Sequence, residues 1–221
     1  MILEAKNFHL DHGHGVEFKN IFLGIDRNEC VAVRTRVLLL GTTLLQGLIG
    51  LHENTSGEVW FQGVNLIGSI PDKRLLELRE DIGFVFRVGG LISLMNVREN
   101  IALPLCYHYD TSKQELQQAV SEIAERLAIE ELLDRDTDDL DVAETRMVSL
   151  ARALIARPKL LLVDAILESM PIEQRERILG AIKACQAQTG CGVLMTTREQ
   201  DVVMASKVYE LDQHGLTQVS H

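Results

Sequence analysis

The sequence predicts an α/β fold, a mostly parallel sheet core interrupted by a helical insertion. Two observations carry that reading. Short apolar runs of strand character alternate with amphipathic helical patterns along most of the chain. From Arg87 to about Glu144 the pattern turns helical only, with strand patterns on either side.

The elements follow in order. MILEAKNFHL and VEFKNIFLGI read as two strands around a turn at Asp11-His12-Gly13-His14-Gly15. Cys30–Val33 reads as a short buried strand, and Thr43–Leu51 as a mostly buried helix. Asn54-Thr55-Ser56-Gly57 reads as a turn, and GEVWFQGVNL as a hairpin bending near Gln62-Gly63. Pro71 can open a helix reaching Arg79, and Ile82–Phe86 returns to strand. Ser112-x-x-Glu115 forms a capping box before a helix with Leu116, Val120, Ile123, Ala124 and Leu127 on one face. After an acidic connection, Asp134–Asp141, a second capping box at Asp141-x-x-Glu144 opens a helix that turns Met147, Leu150, Ala151, Leu154 and Ile155 inward. Lys159–Val163, Gly192–Thr197 and Lys207–Leu211 read as strands, with a helix from Pro171 to about Gln188 between the first two.

Composition narrows the function. With 221 residues, 46% hydrophobic and 24% charged, the chain suits one α/β domain with an insertion or two small domains. A formal charge of -10 argues against a nucleic-acid binder and against unaided attachment to anionic lipid. No apolar run reaches the length of a membrane span, and MILEAKNFHL lacks the basic and apolar regions of a signal peptide. The four cysteines form no C-x-x-C pair and read as buried free thiols. His12-x-His14 has no third ligand nearby, so no metal site is expected.

The organising stretch is ECVAVRTRVLLLGTTLLQGLIGLHENTSGEV, from Glu29 to Val59. It reads strand, connection, helix, turn, strand. Such a strand-to-helix connection is where phosphate-binding loops lie. Leu44-Leu45, Leu48-Ile49 and Leu51, then TSGEV at 55–59, Ile82-Gly83-Phe84-Val85-Phe86, Asn96 to Leu105, and VSLARALIARPKLLLVD at 148–164 follow one another in an order and spacing that resembles the ATP-binding cassette subunit of ABC transporters. The resemblance covers essentially the whole chain. It implies a P-loop NTPase-like cassette fold with an N-terminal antiparallel β subdomain. It also implies a core made of 1–86 with 147–221, and a helical subdomain at 87–146. Gly89-Gly90-Leu91, Met95-Asn96-Val97 and Ala102-Leu103-Pro104-Leu105 are similar to the ATPases of Mla-type lipid transporters.

The resemblance also locates the family's chemistry. Its phosphate-loop glycines fall on Thr35, Leu38 and Leu40, and its lysine on Gly41. Three leucines resist the positive φ that a phosphate nest needs. Thr42 keeps the place of the magnesium-binding hydroxyl, with Thr43 beside it, although the pair reads first as a helix N-cap. Asp164 holds the place of the magnesium-organising aspartate. The general base place is Ala165, the glutamine place after Phe86 is Arg87, the switch histidine place is Arg198, and the aspartate that reaches across the dimer is Pro171. The adenine-stacking aromatic falls near His12. The signature segment reads Leu140-Asp141-Val142-Ala143-Glu144, in which Asp141 would cap its own helix and repel an anion.

Several expectations result. The chain is a non-hydrolysing pseudo-ATPase with no catalytic residue and no bound ATP or magnesium. The alternative is a subunit that keeps nucleotide binding or weak ATPase activity through altered contacts. Val37 to Leu40 pack inward, and Arg87 or Arg198 forms an ion pair with Asp164. The implied partner is a permease or another membrane transport component, with Arg87, Leu91 and Met95 as the contact candidates. The chain would be cytoplasmic, peripheral at the inner face of the cell membrane, and a homodimer or a monomer.

Overall fold

A computed structural model describes residues 1–13, 16–68, 70–108, 111–198, 204–212 and 215–219. Two sheets share the molecule. The smaller is antiparallel: β1 (Leu3–Gly13), β2 (Val16–Ile25), β4 (Thr55–Phe61) and the short β5 (Val64–Asn65), in the order β2-β1-β4-β5. The larger holds β3 (Cys30–Arg34), β6 (Ile82–Val85), β7 (Leu160–Asp164), β8 (Gly192–Thr197), β9 (Lys207–Asp212) and β10 (Gly215–Val219). Its order is β10-β9-β3-β8-β7-β6, parallel throughout except for β10.

The large sheet is covered on both faces, which is why its strands read as continuous apolar runs. Every residue of β7 and β8 is buried. Successive side chains alternate between the two faces. Leu161, Val163, Val193 and Met195 join α3 (Val97–His108), α4 (Lys113–Leu127), α5 (Val142–Ile155) and α6 (Ile172–Thr189) in one core. Leu160, Leu162 and Leu194 pack with α1 (Leu38–Leu48), α2 (Asp72–Glu80) and the inner face of the antiparallel sheet in a second.

Both capping boxes form with reciprocal bonds, at Ser112/Glu115 and at Asp141/Glu144. Two local expectations are corrected. Thr55–Gly57 belongs to β4, not to a turn. Gly57 makes that pairing possible, because with φ at 90° a Cβ there would lie 2.1 Å from the Asn7 carbonyl oxygen. The helix expected to begin at Thr43 begins at Leu38. Leucine is a strong helix former, and Thr35 Oγ1 accepts the Val37 N–H at 3.2 Å, closing the connection in three residues.

Candidate functional site

In a parallel sheet the carboxyl ends of the strands form one rim, and sites collect there. The rim here is made by the ends of β3, β6, β7 and β8. The register sets Asp164 beside Thr196 and Arg34 beside Thr197. Thr35 N–H continues the ladder to the Thr197 carbonyl at 2.9 Å.

Asp164 is the centre of this rim and is 2% exposed. Thr42 Oγ1 donates to one carboxylate oxygen at 2.7 Å, and Thr196 Oγ1 donates to the other at 3.1 Å. Thr42 is placed for this by the early start of α1. Neither Thr42 nor Thr43 is the cap, since both lie inside the helix, where Thr43 bonds back to the Leu39 carbonyl at 2.9 Å. Burial pushes the Asp164 carboxyl above its ordinary range, opposed by the two threonines, the Arg87 charge and the Arg87 backbone N–H. An acid whose folded-state pKa is raised costs stability increasingly as the pH rises above its unfolded value, fully once the pH passes the folded one, and costs nothing where the group is protonated in both states. Asp164→Asn keeps acceptor and shape without the charge. It is expected to melt higher than the native chain at neutral pH, with the gain vanishing as the pH falls below the carboxylate range. Parallel thermal melts at the two pH values check this, and an equal gain at both would exclude it.

The expected ion pair to Asp164 is corrected. Among the described residues neither Arg87 nor Arg198 pairs with it. Two hydroxyls donate to Asp164, one to each oxygen, so a guanidinium is not required. Arg198 is exposed at the end of β8. Arg87 is half-buried, and its Nε is shut away from solvent with no acceptor among the described residues. A buried donor with no acceptor is costly and marks a place where an acceptor belongs.

The inward packing of Val37 to Leu40 is also corrected. Leu40 is buried, but Val37 and Leu39 are 52% and 53% exposed. Once 38–40 are helical, consecutive residues point about 100° apart, and only Leu40 lines up with Leu44 and Leu48 on the core. Gly41, at the lysine place, packs against β8. A Cβ there would stand 3.0 Å from Thr196 Cγ2 and 3.3 Å from Thr35 Cγ2. Residues 38–40 are therefore helix where the resemblance placed a glycine nest. The opening of α1 is uncapped by any side chain. Leu40 N–H bonds the Val37 carbonyl at 3.0 Å, which leaves the N–H groups of Leu38 and Leu39 without an intrahelical acceptor, and Arg36 is exposed beside them. The Thr42 hydroxyl and Asp164 carboxylate are hard oxygen donors of the type that suits magnesium.

At the signature place, Asp141 accepts the Glu144 N–H at 2.8 Å, and Glu144 accepts the Asp141 N–H at 2.8 Å and Arg135 Nη1 at 3.1 Å. Val142 is 68% exposed and Ala143 half-buried. Pro171 opens α6 without a side-chain cap. The side chain of His12, and all of His14, lie outside the described residues.

Two residues at the rim have no counterpart in the reading from sequence. Glu168 stands three residues past Ala165, on the loop leaving β7. Its Oε1 accepts the Arg198 N–H at 2.7 Å and Thr197 Oγ1 at 3.1 Å. Arg146, from α5, donates to the carbonyls of Arg87 at 3.2 Å, Ile166 at 3.2 Å and Glu168. It thus ties the helical region to both loops that flank Asp164. No motif signals either role, because each partner is distant in sequence.

A groove of about 490 Å³ lies on the helical side of β6. Phe84 and Phe86 stack in its wall with ring centroids 4.3 Å apart, opposite Leu103, Pro104 and Ile92. Of the contact candidates, Leu91 packs partly on the core, and Arg87 and Met95 are half-buried. The exposed apolar side chains of this segment are Val88, Ile92 and Leu94.

Fold and rim together define a cassette of the kind that places a nucleotide at the carboxyl edge of a parallel sheet. The family described as ABC transporter matches residues 41–167, more than half of the chain, and the chain belongs to that family as an ATP-binding cassette. It is 27% identical over 207 residues to the lipoprotein-releasing system ATP-binding protein LolD of Psychrobacter arcticus, covering 91% of each chain. It is 30% identical over 217 residues to the methionine import ATP-binding protein MetN of Brucella abortus, covering 97% of this chain and 58% of that one. In fold it matches the ATP-binding cassette MJ0796, solved as a dimer in a post-hydrolysis state with ADP and Pi, with TM-score 0.88, 24% identity and 99% of each chain covered. It also matches cbiO1 of Clostridium perfringens, with TM-score 0.81, 23% identity, and 97% and 86% of the chains covered.

These findings overturn the expectation of a chain that is not an enzyme. The family and its relatives are ATP-binding cassettes, one of that fold was caught after hydrolysis, and nothing among them indicates loss of activity. A carboxylate three residues past Ala165, that of Glu168, reaches the same rim.

Proposed function

We propose that the chain is the ATP-binding subunit of a membrane transporter, binding nucleotide through altered contacts and hydrolysing it slowly. The observation that carries this is the buried Thr42–Asp164 pair, with the acceptor-less Arg87 Nε beside it. Phosphate oxygens would take the free N–H groups at the start of α1, assisted by Arg36. Thr42 and Asp164 would hold magnesium, and Glu168 would supply the carboxylate that Ala165 lacks. Calorimetric titration with MgATP is expected to show one saturable site, weakened about tenfold in Arg36→Ala by loss of a phosphate contact worth ~1.4 kcal/mol. Absence of any heat at millimolar nucleotide would refute the reading.

The proposed partner is a permease. The support is family membership together with the aromatic-walled groove, whose open apolar surface suits a short amphipathic segment of a membrane protein. None of the described helices is long and apolar enough to cross a membrane, so attachment would be peripheral, at the inner face. The similarity to Mla-type ATPases and to LolD, named for lipoprotein release, favours an envelope lipid or lipoprotein as cargo. A homodimer remains part of the proposal, with exposed Val37, Leu39 and Val142 on the expected contact face. Affinity capture from detergent-solubilised membranes is expected to bring down an integral membrane protein, and Leu103→Glu, which puts a charge in the groove, to lose it. Capture unaffected by that change would move the partner surface elsewhere.

A further inference from the structure

The helices of a parallel α/β core run back along the strands, so their amino ends gather at the carboxyl rim of the sheet. The openings of α1, α5 and α6 all lie there. Arg146 fixes α5 to the loop leaving β7, and Glu168 on that loop reaches the end of β8. The start of α1 joins the same strand end, with Thr35 N–H on the Thr197 carbonyl. Each opening turns apolar side chains to solvent. Val37 and Leu39 are 52% and 53% exposed at α1, Val142 is 68% exposed at α5, and Ile172 is 76% exposed at α6. Single exposed apolar residues are ordinary, but several gathered at one rim mark a surface that a partner covers.

Charge divides this face in two. Arg36 and Arg198, both exposed, stand on the side of α1 and the end of β8. Asp138, Asp139 and Asp141, also exposed, stand on the side of α5. Among the described residues the side chains of Arg36, Arg198, Asp138 and Asp139 have no ion pair or hydrogen bond. Asp141 alone is engaged, by the Glu144 N–H of its own helix. Apolar residues with free cations on one side and free carboxylates on the other are complementary to themselves. A two-fold rotation sets the arginines of one copy against the aspartates of the next, and the aliphatic side chains against each other. A partner of one sign would match one half of the face and oppose the other.

We propose that this face binds a second copy of the chain without nucleotide, with Asp138 and Asp139 of each copy paired to Arg36 and Arg198 of the other, and that MgATP loosens the pair. The second half of the inference rests on the nucleotide reading above, in which a phosphate takes Arg36 and the free N–H groups at the start of α1. Arg36 cannot serve a phosphate and the carboxylates of a second copy together, so each ligand lowers the affinity for the other. A nucleotide that bridged the two copies would tighten them instead.

The test is analytical ultracentrifugation of the whole chain, stripped of nucleotide, over a range of concentrations. Cys106 is exposed, which corrects the expectation that all four cysteines are buried, and Cys106→Ser throughout removes any disulfide between copies. A monomer–dimer equilibrium is expected. Arg36→Glu should weaken it at least about tenfold by placing like charges together, and so should Asp138→Lys with Asp139→Lys. An equimolar mixture of these two variants should dimerise again, because every contact then joins opposite charges. The altered side chains are exposed, and thermal melts check that each variant folds. Saturating MgATP should raise the dissociation constant of the native pair about tenfold. A native chain that stays monomeric without nucleotide would overturn the proposal. So would a mixture that pairs no better than its components, or a dimer that MgATP tightens. Calorimetry beside it separates the two readings: no heat from MgATP would remove the nucleotide reading and the loosening with it, while the charge exchange alone decides the self-association.

Discussion

Replacing Arg146 by alanine is expected to lower the melting temperature by about 6–12 °C. The estimate starts from the three carbonyls, of Arg87, Ile166 and Glu168, that one guanidinium holds. Hydrogen bonds from a charged donor contribute about 1.5–3 kcal/mol each, and truncation leaves acceptors that the surrounding loops must re-satisfy. Water reaches part of this half-buried side chain, so a net loss of about 3 kcal/mol is reasonable, with about 2–4 °C per kcal/mol for a chain of this size. Arg146→Lys should recover only part of the loss, since an ammonium cannot present the same planar fork to three separated carbonyls. Because Arg87 and Glu168 flank Asp164, MgATP affinity should fall in the same variants. Scanning calorimetry with and without MgATP measures both effects. A variant that melts within about 1 °C of the native chain would mean that the three carbonyls find water without cost.

Glu168→Gln is expected to leave the fold intact and to reduce ATP hydrolysis about 10²-fold, the usual contribution of a positioned acid–base group. The amide oxygen can still accept from Arg198 N–H and Thr197 Oγ1, so the end of β8 stays anchored. What is lost is the capacity to take a proton. The informative comparison is between binding and turnover: MgATP affinity should hold while the rate drops. A rate equal to that of the native chain would remove Glu168 from the chemistry. A parallel fall in affinity and rate would make it a positioning residue of the switch segment. The comparison needs a measurable native rate, which is most readily obtained with the captured membrane partner present.

The fold was legible because it rests on local patterns. Strand runs such as LLLVD, the periodic apolar face of α4 and two capping boxes each specify their element within a few residues. The connective segments around them carry the family. The residues at the expected phosphate-loop places, Thr35, Leu38, Leu40 and Gly41, were legible too. Their consequence was not. Whether three leucines become core or one more turn of helix depends on what Thr35 and Gly41 meet, and both meet β8, far along the chain.

The site divides in the same way. Asp164 could be placed from sequence because it ends an apolar run, and Asp141 because its partner is three residues away. That Asp164 is satisfied by Thr42 and Thr196 rather than by an arginine required the packing of α1 against two strands. Glu168 and Arg146 were silent, since neither motif nor period marks them. The sequence by itself determined the sheet, its helical layers and the family. Hydrophobic period, caps and turns act over a few residues, so a single chain can state them. Tertiary structure alone decided which oxygens and nitrogens meet at the rim. Such contacts join positions tens of residues apart and are set by side-chain directions that only the packed sheet fixes.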